Sequence, residues 1–273
     1  MKIEEIEKNI TKKTKAIIAT HIYGYPIEID KIKKICTKYK LILVEDAAEM
    51  LGHKYNGKFC GSFGDLSIFS LYSNKHITTG EGGAILTNDV ELYRKLSLLR
   101  KHGIDRREEM FSEEERVGSW IYDMELLGFN YRITDFQAAL GISQLKKLDV
   151  IKERRRKIVN YFNENFADID ELIIPHEDEN VDSNFHIYIL QVKDNHRFDR
   201  YDLFAYLQSK DYSPMVHYIP VHLLGYYKRR YGYKRGDFPV AEHFYDRAIS
   251  IPLYPSLTDV QVEKIIDDIK SFI

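Results

Sequence analysis

Two segments in the first third of the chain place reactive side chains shortly after predicted strands, and a glycine-rich loop precedes a third strand. Asp46 follows the apolar run 41–44, and Lys75 follows the run 66–72, ahead of the glycine-rich loop 78–83. In open α/β sheets, ligands bind beyond the carboxyl ends of the strands. An amine there can form an imine with an aldehyde. A carboxylate on the adjacent strand can keep a ring nitrogen protonated. The pattern therefore predicts that Lys75 and Asp46 act on one ligand.

Pyridoxal phosphate requires these two groups, an imine-forming lysine and an acidic partner that makes its pyridine ring an electron sink. Ser70 lies five residues before Lys75 and could donate a hydrogen bond to the phosphate. Taken singly, each residue more often caps a turn or faces water. Together they predict a site for this cofactor.

The elements that would position these residues alternate between strand and helix, which predicts an α/β sheet with crossover helices. A strand is expected at 15–20, and the run 41–44 is apolar enough to be covered on both faces. A strand at 84–87 precedes a helix that Asn88 and Asp89 cap and Gly103 ends. Residues 104–120 are expected to form a mobile surface loop.

The second half reads as a small α+β module, with a long helix from the capping box at Thr134, a break near Asp149 and a continuation to Phe162. Its basic run KERRRK is interpreted as a solvated face rather than a nucleic-acid site. After a possible linker at 170–183, the sequence predicts strands at 185–192 and 215–219, a helix at 199–209 and a last helix from Thr258. The expected domains are 1–148 and 149–273.

Composition excludes several classes of protein. The 273 residues carry 40 Lys plus Arg against 42 Asp plus Glu, a formal net charge of −2, which disfavours a general nucleic-acid or polybasic membrane binder. No apolar run approaches the roughly 20 residues that cross a bilayer, and the amino-terminal residues are charged. We therefore expect a cytoplasmic protein. Cys36 and Cys60 are interpreted as reduced packing residues.

Longer motifs connect these residues to a known family. Residues 44–89, VEDAAEMLGHKYNGKFCGSFGDLSIFSLYSNKHITTGEGGAILTND, together with LLRKHG, LGFNYRITDFQAALGISQL and VHYIPVHLLGYY, resemble the sugar-nucleotide aminotransferases of the DegT/DnrJ/StrS type. The resemblance covers nearly the whole chain. It implies the aspartate aminotransferase fold (pyridoxal phosphate fold type I), with a large-domain sheet that lacks its N-terminal part and a small α+β C-terminal domain.

The resemblance also implies roles for single residues. Lys75 would carry pyridoxal phosphate as an imine, Asp46 would pair with the ring nitrogen, and Glu49 would lie beside the ring. Ser70 would bind the phosphate. Asn130 would reach the cofactor phosphate of a neighbouring subunit, which implies a homodimer.

The implied reaction moves an amino group from glutamate to C4 of a nucleotide-linked 4-keto-6-deoxy sugar, in the biosynthesis of surface polysaccharides and nonulosonic acids. Several segments look most like members that aminate a UDP-linked N-acetylhexosamine in the pseudaminic acid pathway. The loop SNKHITTGEGG is also similar to that of GDP-perosamine synthase. His217 and Tyr218 fall where the small domain approaches the sugar nucleotide, and a packing role for each is equally compatible with the sequence. Family members with histidine in place of the lysine are dehydratases, so Lys75 favours amino transfer.

Two other hypotheses stay open. Family members carry a phosphate-binding turn before the matched region, so we expect this polypeptide alone to bind pyridoxal phosphate weakly or not at all. An active aminotransferase would then need a partner fragment, or upstream coding sequence, that supplies this turn. The alternative is an inactive truncated remnant or an interaction subunit. An NAD-binding Rossmann domain is the weaker alternative, because TTGEGG lacks the dinucleotide fingerprint.

Overall fold

The computed structural model describes residues 1–106, 112, 118, 120–194 and 197–273. The chain forms two compact units. The first comprises residues 1–22, 26–51 and 58–148, and the second comprises residues 23–25, 52–57 and 149–273. The main division thus falls between residues 148 and 149, and two short early segments join the second unit.

The described strands are short, from two to five residues. In chain order they are β1 Ala16–Thr20, β2 Ile42–Asp46, β3 Lys54–Tyr55, β4 Lys58–Phe59, β5 Leu66–Ser70, β6 Gly83–Leu86, β7 Ile104–Asp105, β8 Asp123–Met124, β9 Leu172–Ile173, β10 Val181–Asp182, β11 Tyr188–Val192 and β12 Ala248–Ile251. The α-helices are α1 Ile3–Asn9, α2 Ile29–Tyr39, α3 Val90–Arg100, α4 Asp135–Leu145, α5 Leu148–Phe166, α6 Arg200–Ser209, α7 Gly225–Tyr231, α8 Pro239–Arg247 and α9 Asp259–Phe272.

The first unit is built on a four-stranded sheet in the order β1-β2-β5-β6. Strands β1, β2 and β5 are parallel, and β6 returns antiparallel to β5. The register aligns Thr20 with Asp46 and Asp46 with Ile68. The predicted α/β sheet is confirmed, and its parallel strands end at one edge.

The two faces of this sheet differ. Ile17 and Leu43 are buried on the face that α2 covers, where Ile29 and Ile32 of that helix are also buried. Ile18 on the opposite face is 61% exposed, and its neighbours Ile42, Ile68 and Ile85 are also exposed. The expectation that the strand at 41–44 is covered on both faces is therefore wrong for this unit, because alternate residues of β2 face solvent.

Helix starts in the first unit follow the sequence signals. The Asp89 side chain accepts from the Leu92 N–H at the start of α3, and Thr134 and Gln137 form the predicted capping box of α4. Helix α3 ends at Arg100 rather than Gly103, which lies in the following turn at φ 72°. Part of the predicted loop 104–120 forms β7, which pairs with β8. Residues 107–111, 113–117 and 119 of that loop lie outside the described residues.

The second unit packs its helices on an antiparallel sheet in the order β12-β11-β9. Its core includes Phe162 of α5, Tyr188 of β11, Leu203 of α6 and Ile266 of α9. The Thr258 capping box is present, as predicted.

Two sequence interpretations of this region are wrong. The expected linker at 170–183 contains β9 and β10, which pair with β11 and β3. Residues 215–219 form a single bridge, Met215 with Ser250, rather than a strand. Each of these two features depends on partners distant in sequence, which local pattern does not report. The predicted helix break near Asp149 is confirmed, and it falls at residues 146–147 between α4 and α5.

The basic run of α5 is balanced by nearby acids, as the sequence suggests, but only part of it is solvated. Arg155 is buried and donates to the backbone carbonyls of Asn184, Phe185, His186 and Leu253. Arg156 on the same helix pairs with Glu177. Arg155 therefore belongs to the interior of the second unit, whereas Lys157 of the same run is exposed. Among the described residues, no helix combines the length and apolar character needed to span a membrane.

Candidate active site

Asp46 is the last residue of β2 and lies at the carboxyl edge of the parallel sheet. Its Oδ1 accepts from the Ala48 N–H at 3.2 Å, and its carbonyl accepts from the His21 N–H at 3.1 Å. The Thr20 hydroxyl lies 3.5 Å from Oδ2. These contacts hold the carboxylate at the strand end, half-buried on the sheet face opposite α2.

Lys75 lies in the turn that follows β5, where its N–H donates to the Tyr72 carbonyl at 3.0 Å. Its Nζ donates to Glu49 Oε1 at 3.0 Å, and each of the two side chains is 15% exposed. The turn after β2 that carries Glu49 therefore meets the turn after β5. Lys75, the predicted cofactor lysine, thus forms a direct ion pair with Glu49, the residue expected beside the ring.

Ser70 ends β5, two residues beyond Ile68, the partner of Asp46 in the register. Side chains two apart on a strand share a face and are separated by roughly 7 Å. Ser70 therefore points to the same side of the sheet as Asp46, and it lies two residues nearer the carboxyl edge of the sheet. Its Oγ accepts from the Tyr72 N–H at 3.3 Å.

The glycine-rich loop between β5 and β6 is organised by its own hydrogen bonds. The Thr79 hydroxyl donates to the Glu81 carbonyl at 2.7 Å, and the Leu71 N–H donates to the Gly82 carbonyl at 3.0 Å. Gly82 has φ 152°, and a Cβ there would lie 2.5 Å from the Thr79 hydroxyl. The loop folds back beside the Lys75 turn and needs glycine at position 82.

Asn130 lies elsewhere in the same unit. It forms an isolated antiparallel bridge with Lys101, next to the end of α3, and is exposed. The stacked rings of Phe129 and Tyr131 flank it, with centroids 5.1 Å apart. Its assignment to a neighbouring subunit's cofactor stays a prediction.

His217 and Tyr218 belong to the second unit. The His217 ring contacts the Ser250 hydroxyl through Nδ1 at 2.7 Å, and its carbonyl accepts from the Tyr23 hydroxyl at 2.6 Å. Tyr218 is 59% exposed. Their assignment to the sugar nucleotide also stays a prediction.

Sequence reasoning missed two residues beneath this site, Glu45 and His21. Both side chains are fully buried, and His21 Nε2 lies 2.9 Å from Glu45 Oε1. The available signal was a charged residue inside an otherwise apolar strand, since such a residue is rarely buried without partners.

The chemistry of these side chains fits pyridoxal phosphate. The first unit offers an amine for the aldehyde, a carboxylate for the ring nitrogen and a hydroxyl for the phosphate, carried by Lys75, Asp46 and Ser70 at one edge of one sheet. Within the described part of the chain, no group of three or more His, Cys, Asp or Glu side chains could hold a metal ion. The residues present are therefore compatible with this cofactor.

Comparison with known proteins places the chain in a family. Residues 1–270 match the model of the DegT/DnrJ/EryC1/StrS aminotransferase family, and the chain belongs to that family. The resemblance found in the sequence is thus confirmed.

Individual relatives are similar over most of the chain. GDP-perosamine synthase of Escherichia coli O157:H7 is 34% identical over 100% of this chain and 69% of its own. UDP-4-amino-4,6-dideoxy-N-acetyl-beta-L-altrosamine transaminase of Campylobacter jejuni is 35% identical over 89% of this chain and 61% of its own. The solved PMP-form of the putative sugar aminotransferase Spr1654 from Streptococcus pneumoniae has a TM-score of 0.90 and 28% identity, and covers 100% of this chain and 72% of its own. These likenesses confirm the predicted fold class.

Proposed function

We propose that this chain transfers an amino group from glutamate to C4 of a nucleotide-linked 4-keto-6-deoxy sugar, with pyridoxal phosphate as cofactor. The observation that carries the proposal is the placement of Lys75 and Asp46, in a member of an aminotransferase family, at the carboxyl edge of one sheet. Relatives named for amino-sugar synthesis support the substrate class.

Bound pyridoxal phosphate supplies an electron sink for the negative charge that develops when a carbon–hydrogen bond of the amino donor breaks. Asp46 would keep the ring nitrogen protonated, because its carboxylate, held at the strand end, carries the negative charge that stabilises a pyridinium. An amine must lose a proton before it can act as a nucleophile or base, and Glu49, 3.0 Å from Lys75 Nζ, is placed to receive that proton. Lys75 would then act as a base that takes a proton from the donor carbon, and as an acid that delivers it to the cofactor carbon. Ser70 would donate a hydrogen bond to the phosphate.

The test compares Lys75→Ala with Lys95→Ala. Lys95 lies exposed on α3, so its removal tests the loss of a lysine without touching the site. With pyridoxal phosphate, glutamate and a panel of 4-keto sugar nucleotides, wild type and Lys95→Ala should form amino sugar, and Lys75→Ala should lose at least about a hundredfold in rate. Equal rates for both variants would contradict the proposal.

The same panel decides between two substrate readings. The Campylobacter jejuni relative favours a UDP-linked N-acetylhexosamine, and the Escherichia coli relative favours a GDP-linked sugar. We expect turnover of the UDP-linked ketone. Turnover of the GDP-linked ketone alone would assign the perosamine-type reaction. No turnover of any ketone by a chain that binds pyridoxal phosphate would favour the inactive or interaction-subunit alternative.

A further inference from the structure

A buried hydrogen-bond cluster lies on the other side of β2 from Asp46. The Glu45 carboxylate, which is fully buried, is its centre. It accepts from the N–H groups of Gly61, Phe63 and Gly64 at 2.5, 2.8 and 3.0 Å, from the Ser67 hydroxyl at 3.2 Å and from His21 Nε2 at 2.9 Å.

The hydrogen bonds of His21 fix the tautomer of its ring. The Ile27 N–H donates to His21 Nδ1 at 3.1 Å, so Nδ1 must present a lone pair. The ring proton is therefore on Nε2 and points at Glu45. The pair is a hydrogen bond from an uncharged imidazole to a carboxylate, and the two nitrogens of His21 link the loop before α2 to the end of β2.

This cluster joins three strands. His21 directly follows β1, and Glu45 is the penultimate residue of β2. Ser67 lies near the start of β5, just after the turn whose three N–H groups donate to Glu45. The same three strands carry the residues of the candidate site on the opposite face. Thr20 and Asp46 each sit next to a member of the cluster in sequence, and Ser70 ends the third strand.

We propose that His21 and Glu45 are positioning residues that fix the Asp46 carboxylate relative to Ser70, and thereby preorganise the pyridoxal phosphate site. The proposal rests on the proposed function. A buried carboxylate is seldom the most stabilising occupant of a core position, since well-packed apolar residues are often neutral or better. Five donors converging on one carboxylate instead impose a single geometry on the elements that supply them. Residues that orient a site from behind in this way typically change affinity about 10- to 100-fold when removed, as in metal sites.

The first test measures the tautomer of the His21 ring. Nitrogen-15 NMR of the histidine side chains at neutral pH should show His21 as the Nε2–H tautomer, protected from solvent. A doubly protonated His21, or the Nδ1–H tautomer, would overturn the hydrogen-bond assignment on which the proposal stands.

The second test needs no cofactor. In His21→Leu, which removes both ring contacts, the Ala48 N–H that donates to Asp46 Oδ1 should exchange with deuterium at least about tenfold faster. The Leu92 N–H, which donates to Asp89 Oδ1 at 2.9 Å in the same unit, is the internal control and should keep its rate. His21→Gln retains one donor and one acceptor and should rescue part of the protection. Unchanged exchange at Ala48, or equal acceleration at Leu92, would assign the cluster a purely structural role.

The third test measures pyridoxal phosphate affinity by visible absorbance. His21→Leu and Glu45→Gln should bind at least about tenfold more weakly than wild type. The matched control is His222→Leu in the second unit, which breaks another buried pair, His222 with Glu242 at 2.8 Å. It should lower thermal stability and leave the affinity within about threefold. Equal loss in His222→Leu, or wild-type affinity in a folded Glu45→Gln, would contradict the proposal.

The outcomes also separate this proposal from the proposed function. A chain that binds pyridoxal phosphate with the predicted dependence on His21 but aminates no sugar would contradict the function and support the positioning role. A wild-type chain that binds no pyridoxal phosphate would count against the function, and deuterium exchange at Ala48 would still decide whether the cluster fixes Asp46. If His21→Leu does not fold, Glu45→Gln, His21→Gln and the tautomer measurement decide the question.

Discussion

At the scale of single residues, side chains of the same chemical type differ in their surroundings. Asp46 and Glu45 are adjacent carboxylates that point to opposite faces of β2, one half-buried at the sheet edge and one enclosed by donors. Lys75 meets Glu49 in a partly shielded ion pair, whereas Lys95 is exposed. These contrasts produce predictions that can be checked on the chain without substrate.

Glu45 should make the stability of the first unit depend on acid. Burial raises the pKa of this carboxyl, and hydrogen bonds from His21, Gly61 and Phe63 outweigh that effect, so its pKa lies below the usual value of 4.5. A carboxyl whose pKa is lowered by folding stabilises the protein above its unfolded pKa, and that contribution is lost as the pH falls through the folded pKa. Urea unfolding from pH 7 to pH 3 should therefore show a smaller loss of stability in Glu45→Gln than in wild type. Parallel pH curves for the two proteins would contradict the prediction.

Cys60 should resist thiol reagents while the chain is folded. The side chain is 3% exposed, and burial raises the pKa of its thiol to about 12. Burial also raises the pKa of the Cys36 thiol. Since the thiolate is the reactive form, labelling at pH 8 should be slow for both cysteines and should become fast in denaturant. Rapid labelling of Cys60 in the folded protein would contradict the described packing. It would also contradict the interpretation of Cys36 and Cys60 as reduced packing residues.

At the scale of elements, the features that could be predicted are those whose signal is local. Helix α2 follows from the spacing of Ile29, Ile32 and Cys36, and the capping boxes at Thr134 and Thr258 mark their helix starts to the residue. The strands that carry Asp46 and Ser70 were predicted for the same reason. The cluster around Glu45 could not be, because its donors come from residues 16 to 24 positions away in sequence.

Arg155 shows the same limit, and its role can be measured. The buried guanidinium bridges four backbone carbonyls of the second unit, and burial lowers its pKa to about 10. Arg155→Leu leaves those carbonyls buried without their donor and should lower the free energy of unfolding by about 2 to 4 kcal/mol. Urea denaturation measures this change, with Lys157→Ala as the control. Lys157 is 67% exposed and pairs with Glu153 on the same helix, so its loss should cost less than about 1 kcal/mol. A similar small change in Arg155→Leu would show that its hydrogen bonds are dispensable.

At the scale of the whole molecule, the first unit exposes a large apolar surface around α4. No residue of α4 is buried, and Phe136, Ile142 and Leu145 are 91%, 60% and 53% exposed. A groove of about 720 Å³ lies nearby, with Phe129, Tyr131 and Ile133 in its lining. Exposed apolar patches of this kind mark interaction sites. The predicted homodimer, in which Asn130 serves a neighbouring subunit, would use such a surface.

The predicted homodimer should therefore be sensitive to charge on α4. Phe136→Asp should shift the mass in analytical ultracentrifugation from dimer towards monomer, because it places a carboxylate in an apolar interface. Val260→Asp is the matched control, since Val260 is 74% exposed on α9 of the second unit. Its mass should equal that of wild type. A monomeric wild-type chain, or a dimer that tolerates Phe136→Asp, would contradict this use of the surface.

The identity of the lysine that holds the cofactor tests the account most directly. The purified chain is incubated with excess pyridoxal phosphate, reduced with borohydride to fix the cofactor to the amine that bears it, digested and mapped by mass spectrometry. The account predicts that the added mass lies on Lys75 and that free glutamate, which competes for the cofactor, reduces the labelling. Label concentrated on another lysine, or the same scattered labelling in Lys75→Ala as in wild type, would contradict it.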